Sequence, residues 1–253
     1  QWLNRFSSKA LRRALYIVWL NTSLQQYLLG NRIDIAHFTN YLIPFVKLHK
    51  AKYVVTIHDL TAWMAPETLP LGYMIYNRVA TLYAIRRAAL VLTVSEAVRR
   101  EIVELLKHTK KTNIKVIHNG VSLSFRRLSI EERRIRKGQL KKLGVDGRYI
   151  LFAGTLEKRK NVLSLLKTFV RLKQLTEKGQ DLKLVLVGNQ GYGFAEISAY
   201  LDRHQLSNSI ILTNYVQEDE LITLYNLAEL FVFPSLYEGF CIPLLEAMDC
   251  WVP

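Results

Sequence analysis

The sequence predicts an α/β protein of two parallel sheets, each covered by helices on both faces. Three observations carry that prediction. Short apolar runs of strand length alternate with longer stretches of helical period, and the alternation occurs twice. The 253 residues suffice for two domains with substantial cores, and the composition is ordinary for a globular chain, half hydrophobic and 22% charged. The charge also changes between the two runs: residues 1–148 hold 26 Lys and Arg against 9 Asp and Glu, and residues 149–253 hold 9 against 12. The expected division is a basic, partial N-terminal domain with its linker over 1–148 and a second, truncated domain over 149–253.

Residues 8–29 read as one helix, basic at Lys9, Arg12 and Arg13 and apolar at Leu11, Leu15, Val18 and Trp19. Strands follow at Ile33–Phe38, Tyr53–Ile57, Leu90–Val94 and Lys115–Ile117. Helices are expected over 74–88 and 96–107, the second capped by Ser95. Residues 129–143 read as a charged linking helix. The pattern restarts at Tyr149, with strands at Tyr149–Ala153, Lys183–Val187, Ile210–Leu212 and Leu230–Phe233. Helices near 162–178, 194–205 and 217–228 separate them, and Pro243 suits the first turn of a last one. Short Val, Ile and Leu runs of this kind form parallel, Rossmann-like sheets buried on both faces. The longest apolar stretch, around Ala14–Leu20, is too short to cross a bilayer. Beginning at Gln1 and stopping at Pro253, the chain reads as a fragment lacking both ends. Cys241 and Cys250 form neither a disulfide framework nor a metal spacing, which fits reduced thiols in cytosol.

Two places can carry chemistry. In Pro234-Ser-Leu-Tyr-Glu238-Gly-Phe-Cys-Ile-Pro243-Leu-Leu-Glu246, two carboxylates stand eight positions apart across a strand-to-helix corner. Ligands of open α/β sheets bind at such corners; the plainer reading is a turn glutamate and one offsetting a helix dipole. In Gly154-Thr155-Leu-Glu-Lys-Arg159-Lys160-Asn161, two cations stand beside a helix N-terminus that already favours an anion, with Asn161 suited to cap it. A diphosphate fits there, and so does a solvated basic loop. Gly188-Asn-Gln-Gly191-Tyr-Gly193 lacks the dinucleotide spacing and reads as a flexible loop, with a donor contact as the minority alternative. His37 reads as a structural strand-end histidine, or one facing a cleft.

Taken together, these motifs resemble the retaining GT-B glycosyltransferases of family 4. Thr56-Ile-His58-Asp59, Val94-Ser95-Glu96, Val116-Ile-His-Asn119-Gly120-Val121 and Phe233-Pro234-Ser235 match in order, and the likeness runs over roughly residues 30–253. The resemblance implies a GT-B architecture of two facing Rossmann-like domains and a nucleotide-diphosphate sugar as donor. By motif, Arg159 and Lys160 would hold the diphosphate without a metal or other cofactor, and Gly154 and Thr155 would belong to the donor-binding site. Glu246 would accept from the ribose hydroxyls, and the backbone of Gly239, Phe240 and Cys241 would face sugar or phosphate. Glu238 and His58 would act at the transferred sugar, although Glu238 is not assigned as a nucleophile.

Two positions depart from the family pattern: Cys241 where glycine is usual, and Trp251 where a glycine normally ends the helix of the second glutamate. The leading expectation is a metal-independent hexosyltransferase of cell-envelope glycan synthesis, acting on a saccharide acceptor of lipid-linked type. It would be cytoplasmic and peripheral on the inner membrane face, its basic first part meeting anionic lipid. Nucleic acid is not expected, since no zinc-finger spacing or RNA-binding aromatic signature occurs. A degenerate, non-catalytic binder of nucleotide sugar or glycan is the alternative. A basic membrane or nucleic-acid module leaves the glutamate pair unexplained.

Overall fold

The computed structural model describes residues 9–47, 50–107, 113–175 and 181–253. By packing, the chain parts into two compact units: Met64–Pro70 with Asn119–Pro253 form the second, and the remainder forms the first. Each unit carries one four-stranded parallel sheet.

The first unit starts with α1 (Lys9–Asn21) and α2 (Ser23–Gly30). The single helix expected over 8–29 is broken at Thr22, and Asn21 shows why. Its side-chain oxygen accepts from the backbone N–H groups of Phe45 (2.7 Å) and Val46 (3.0 Å), tying the end of α1 to a distant loop. The side chains of Lys9, Arg12 and Arg13 lie outside the described residues. Strands β1 (Ile35–Phe38), β2 (Lys52–Ile57), β3 (Leu90–Thr93) and β4 (Ile114–Val116) line up in chain order. Between them in the chain, among the described residues, lie the α-helices α3 (Thr61–Met64), which the sequence did not suggest, α4 (Leu71–Arg87) and α5 (Glu96–Leu105). Ser95 caps α5 as expected, its hydroxyl accepting from the Val98 N–H. Tyr53, Val55 and Ile57 alternate into the core along β2.

The second unit contains α6 (Ile130–Leu140), β5 (Tyr149–Ala153), α7 (Val162–Leu175), β6 (Lys183–Val187) and α8 (Phe194–Arg203). It continues with β7 (Ile210–Asn214), α9 (Glu218–Leu227), β8 (Leu230–Phe231) and α10 (Ile242–Asp249). The charge of the chain changes at residue 148, but the packing boundary falls after His118. Phe125, Leu128, Leu140 and Val145 belong to the hydrophobic cluster under β5 and β6. Asn226 of α9 fastens that connection, donating to the Arg126 carbonyl (2.9 Å) and accepting from the Leu128 N–H (2.8 Å). Surface charge follows solvent, whereas a unit boundary follows buried apolar contact, so the two need not coincide.

Both faces of the second sheet are buried. Tyr149, Leu151, Ala153, Val185 and Val187 pack into one cluster, and Ile150, Phe152, Leu184 and Leu186 into the opposite one. That is why these strands read as unbroken apolar runs. The strand order is β7-β6-β5-β8, so the chain steps one way from β5 and later returns to its other side. The loops following β5 and β8 thus leave neighbouring strands in opposite directions. Their divergence is a topological switch point, where ligands of open α/β sheets bind.

Candidate active site

The loop after β5 is built by close backbone contact. Gly154 has φ of 149° and Gly188, at the end of β6, has φ of 139°. A β-carbon on Gly188 would come 2.1 Å from the Gly154 carbonyl oxygen, so no side chain fits. The Gly188–Gly193 segment is no free loop, contrary to the sequence reading. Leu156 donates its N–H to the Asn189 carbonyl, Gly191 to that of Leu156, and Lys158 to that of Tyr192, all at 2.8–3.0 Å. Thus pinned, residues 158–160 form one tight turn. Asn161 precedes α7 in the left-handed conformation (φ 56°), which asparagine tolerates, and its carbonyl accepts from Ser164 and Leu165.

The loop after β8 folds against this turn. The Leu236 N–H donates to the Arg159 carbonyl (2.9 Å), and the Arg159 guanidinium donates to the Tyr237 carbonyl (2.8 Å). Glu238 then receives both cations: Lys160 Nζ is 2.6 Å from Oε1 and Arg159 Nη1 is 2.9 Å from Oε2. Ser235 Oγ donates to Oε1 at 2.6 Å, and Glu157 balances the other arm of Arg159 at 2.8 Å. Lys160 is 9% exposed, with its ammonium 4.7 Å from the centroid of Phe233, a ring stacked on Phe152. Burial pushes the Glu238 carboxyl upward in pKa. Hydrogen bonds from Lys160 and Ser235, with the charges of Lys160 and Arg159, outweigh it and hold the group below the usual glutamate range.

Glu246 lies in the second turn of α10, which carries Pro243 at its second position. Burial raises its pKa, and the Tyr225 hydroxyl, 2.9 Å away, partly restrains the rise. Between the glutamates, Gly239 is buried while Phe240 and Cys241 are half-buried. Cys241 has φ of −96° and ψ of 87°, backbone that any residue adopts, so glycine is not required there. Burial pushes its thiol upward in pKa. Trp251 does occupy the left-handed position (φ 60°) that ends α10. Its N–H reaches the Met248 carbonyl and that of Val252 reaches Ala247, and Arg127 lies over its ring at 4.6 Å.

Of the residues the sequence singled out, Arg159, Lys160 and Glu238 meet in one cluster. Gly154 lies beneath, against Phe233, and Thr155 next to Gly191. His58 belongs to the first unit, where its Nε2 lies 2.8 Å from the Thr39 carbonyl; His37 pairs with Thr56 Oγ1 at 2.9 Å. Two residues went unassigned. Ser235 had a signal in its place within Phe233-Pro234-Ser235, while Tyr225 looked like an ordinary core aromatic. Among the described residues, no group of three or more His, Cys, Asp or Glu could hold a metal ion.

Comparison with known proteins gives the family and places the fold. The sequence model for "Glycosyltransferase Family 4" matches residues 3–125, and that for "Glycosyl transferases group 1" matches residues 134–253. The chain belongs to the glycosyl transferases group 1, with the parallel two-sheet architecture of GT-B enzymes. It is 31% identical over 223 residues to the O-antigen chain mannosyltransferase B of Escherichia coli, covering 87% of this chain and 55% of that protein. The chain spans about half the length, or less, of the curated relatives it matches. Among solved structures, WaaG, a glycosyltransferase of lipopolysaccharide biosynthesis, superposes with a TM-score of 0.69 at 18% identity, over 98% of this chain and 65% of that one. Anabaena HepE in complex with UDP-glucose gives 0.63 at 22% identity, over 81% and 52%. Among the described residues no helix is long and apolar enough to cross a membrane.

Proposed function

We propose that this protein transfers a hexose, mannose in the first instance, from a nucleotide-diphosphate sugar to a saccharide of a cell-envelope glycan, retaining the anomeric configuration. One observation carries the reading: Arg159, Lys160 and Glu238 converge at the switch point between β5 and β8. The sugar is suggested by the O-antigen mannosyltransferase relative. A lipid-linked acceptor is suggested by a further relative, a Campylobacter jejuni transferase named for a diphospho-undecaprenol substrate. The excess of Lys and Arg before residue 148 suits an anionic membrane surface.

The chemistry needs negative charge neutralised on the departing diphosphate and an oxocarbenium-like centre stabilised. Arg159 and Lys160 supply the first, in the role a metal ion would otherwise take, with Gly154 and Thr155 beside them. Glu246 accepts from the ribose, and the backbone of Gly239, Phe240 and Cys241 contacts sugar or phosphate. Glu238 is a poor nucleophile here, because both its oxygens are engaged by cations and Ser235. Its role is to exchange partners with the diphosphate and then serve the sugar. His58 is proposed to act on the reacting sugar, a role resting on the Thr56–Asp59 motif alone.

UDP-, GDP- and ADP-sugars are to be screened by thermal shift, since a ligand bound only by the native state raises its stability. One donor should raise the midpoint without magnesium, and Lys160→Ala should abolish the rise while keeping a native circular dichroism spectrum. A rise that survives Lys160→Ala, or that requires magnesium, overturns the assignment. Donor hydrolysis lost in Glu238→Ala separates an enzyme from a mere binder.

A further inference from the structure

Tyr225 of α9 is 0% exposed, and its ring sits edge-on against Phe125 and Phe231. It projects from a helix whose Thr223, Leu224 and Asn226 are also buried, so its place is fixed by the core. Its hydroxyl lies 2.9 Å from Glu246 Oε2 and 3.2 Å from the Pro243 carbonyl. A phenol carries one hydrogen, and the charged acceptor is both nearer and stronger, so the carboxylate takes it. Oε1 of Glu246 has no partner among the described residues.

We infer that Tyr225 is a positioning residue: it immobilises Glu246 through Oε2 and leaves Oε1 to accept from the hydroxyls of a ribose, which makes the site discriminate ribo- from 2′-deoxyribonucleotides. The inference rests on the reading of Glu246 as the ribose contact. The surroundings show why such an anchor matters. The carboxyl is half-buried, which favours its neutral acid, and Glu218 at the start of α9 adds like charge. Tyr225 is the bond that opposes both. An acid that took up the proton would be a poorer acceptor for a diol, and one free to rotate would lose its aim. Because the anchor comes from α9 and the acceptor from α10, two helices share in setting one hydrogen bond to the ligand.

Tyr225→Phe keeps the ring and its packing and removes only the hydroxyl. Two measurements are made on the ligand-free and nucleotide-bound chain. In a carbon-13 carboxyl titration without ligand, the midpoint of Glu246 should rise in Tyr225→Phe. In calorimetry, the wild-type chain should bind GDP more tightly than 2′-deoxy-GDP, or UDP more tightly than 2′-deoxy-UDP, by about tenfold, and the variant should bring that ratio toward one. A Glu246 midpoint that stays put overturns the hydrogen bond and the inference with it. A risen midpoint with the ribo-to-deoxy ratio unchanged overturns the recognition role while the donor-site reading stands. Wild-type binding of none of the four nucleotides, nor of ADP, overturns the donor-site reading, and the recognition role falls with it. Lys160→Ala, which should weaken ribo and deoxy forms equally, tells loss of the diphosphate contact from loss of the ribose contact.

Discussion

Lys160 Nζ and Glu238 Oε1 stand 2.6 Å apart although 78 residues separate them in the chain. The bond joins the loops of two neighbouring strands, and both partners are mostly buried, so each would be costly to leave alone. Lys160→Met should destabilise the native state by about 2 kcal/mol, less than a fully sealed pair would lose because Arg159 still faces the carboxylate. Lys160→Met with Glu238→Gln should recover part of that loss. Urea denaturation of the two singles and the double closes the cycle, and additive losses would disprove the coupling.

The same carboxylate sets a pH dependence. Its folded pKa lies below the ordinary glutamate value of about 4.3, so it stabilises the fold above that value and loses the contribution as pH falls through the folded pKa. Glu246 has the opposite sign: its raised pKa means that acidification favours the folded form. Between about pH 5 and pH 3, stability should fall less steeply in Glu238→Gln than in the wild type, and more steeply in Glu246→Gln. Urea midpoints measured at intervals across that range give the slopes.

Gly188→Ala should be among the most damaging small substitutions in the second unit. The added carbon meets backbone rather than a movable side chain, at 2.1 Å, and φ of 139° is itself unfavourable for alanine. A loss of about 3 kcal/mol or more is expected, from strain and overpacking together. Hydrogen exchange should show weaker protection at the Leu156 and Lys158 amides, because the strap they bond is lifted.

Trp251→Gly should stabilise the chain. Left-handed backbone costs a bulky L-residue about 1–2 kcal/mol. The Arg127 contact that glycine forfeits is worth about 0.5–1 kcal/mol at an exposed site. Thermal unfolding should therefore shift upward slightly, while Trp251→Ala, which keeps the strain and drops the contact, should shift downward.

Strands were the most legible elements, for a physical reason. Tyr149–Ala153 and Lys183–Val187 are buried on both faces, so their limits are set by where apolar residues stop. β8 was overestimated: only Leu230 and Phe231 pair in register, the last bond to β5 runs from the Val232 N–H to the Leu151 carbonyl (2.9 Å), and Phe233 turns away to stack on Phe152. The break at Thr22 was illegible because its cause, the bonds from Phe45 and Val46 to Asn21, is tertiary. In the site, Arg159, Lys160, Glu238 and Glu246 announced themselves as charges in a strand-to-helix context. Ser235 acts on Glu238 only three residues on and lies inside a visible motif, whereas Tyr225 acts through one hydroxyl on Glu246, 21 residues away on the next helix, and no local pattern encodes that.

The cluster at the switch point contains Arg159 and Lys160 against Glu157 and Glu238, two charges of each sign. Without ligand it is therefore nearly neutral and exerts little pull at a distance. A monoanion that displaced Glu238 would trade one negative partner for another and gain little; a diphosphate brings a surplus. If the proposed donor binds here, entry would depend on how many charges a ligand carries as well as on its shape. On exit, the displaced carboxylate would be a tethered competitor, at hand to reclaim the cations and hasten release of the spent nucleotide.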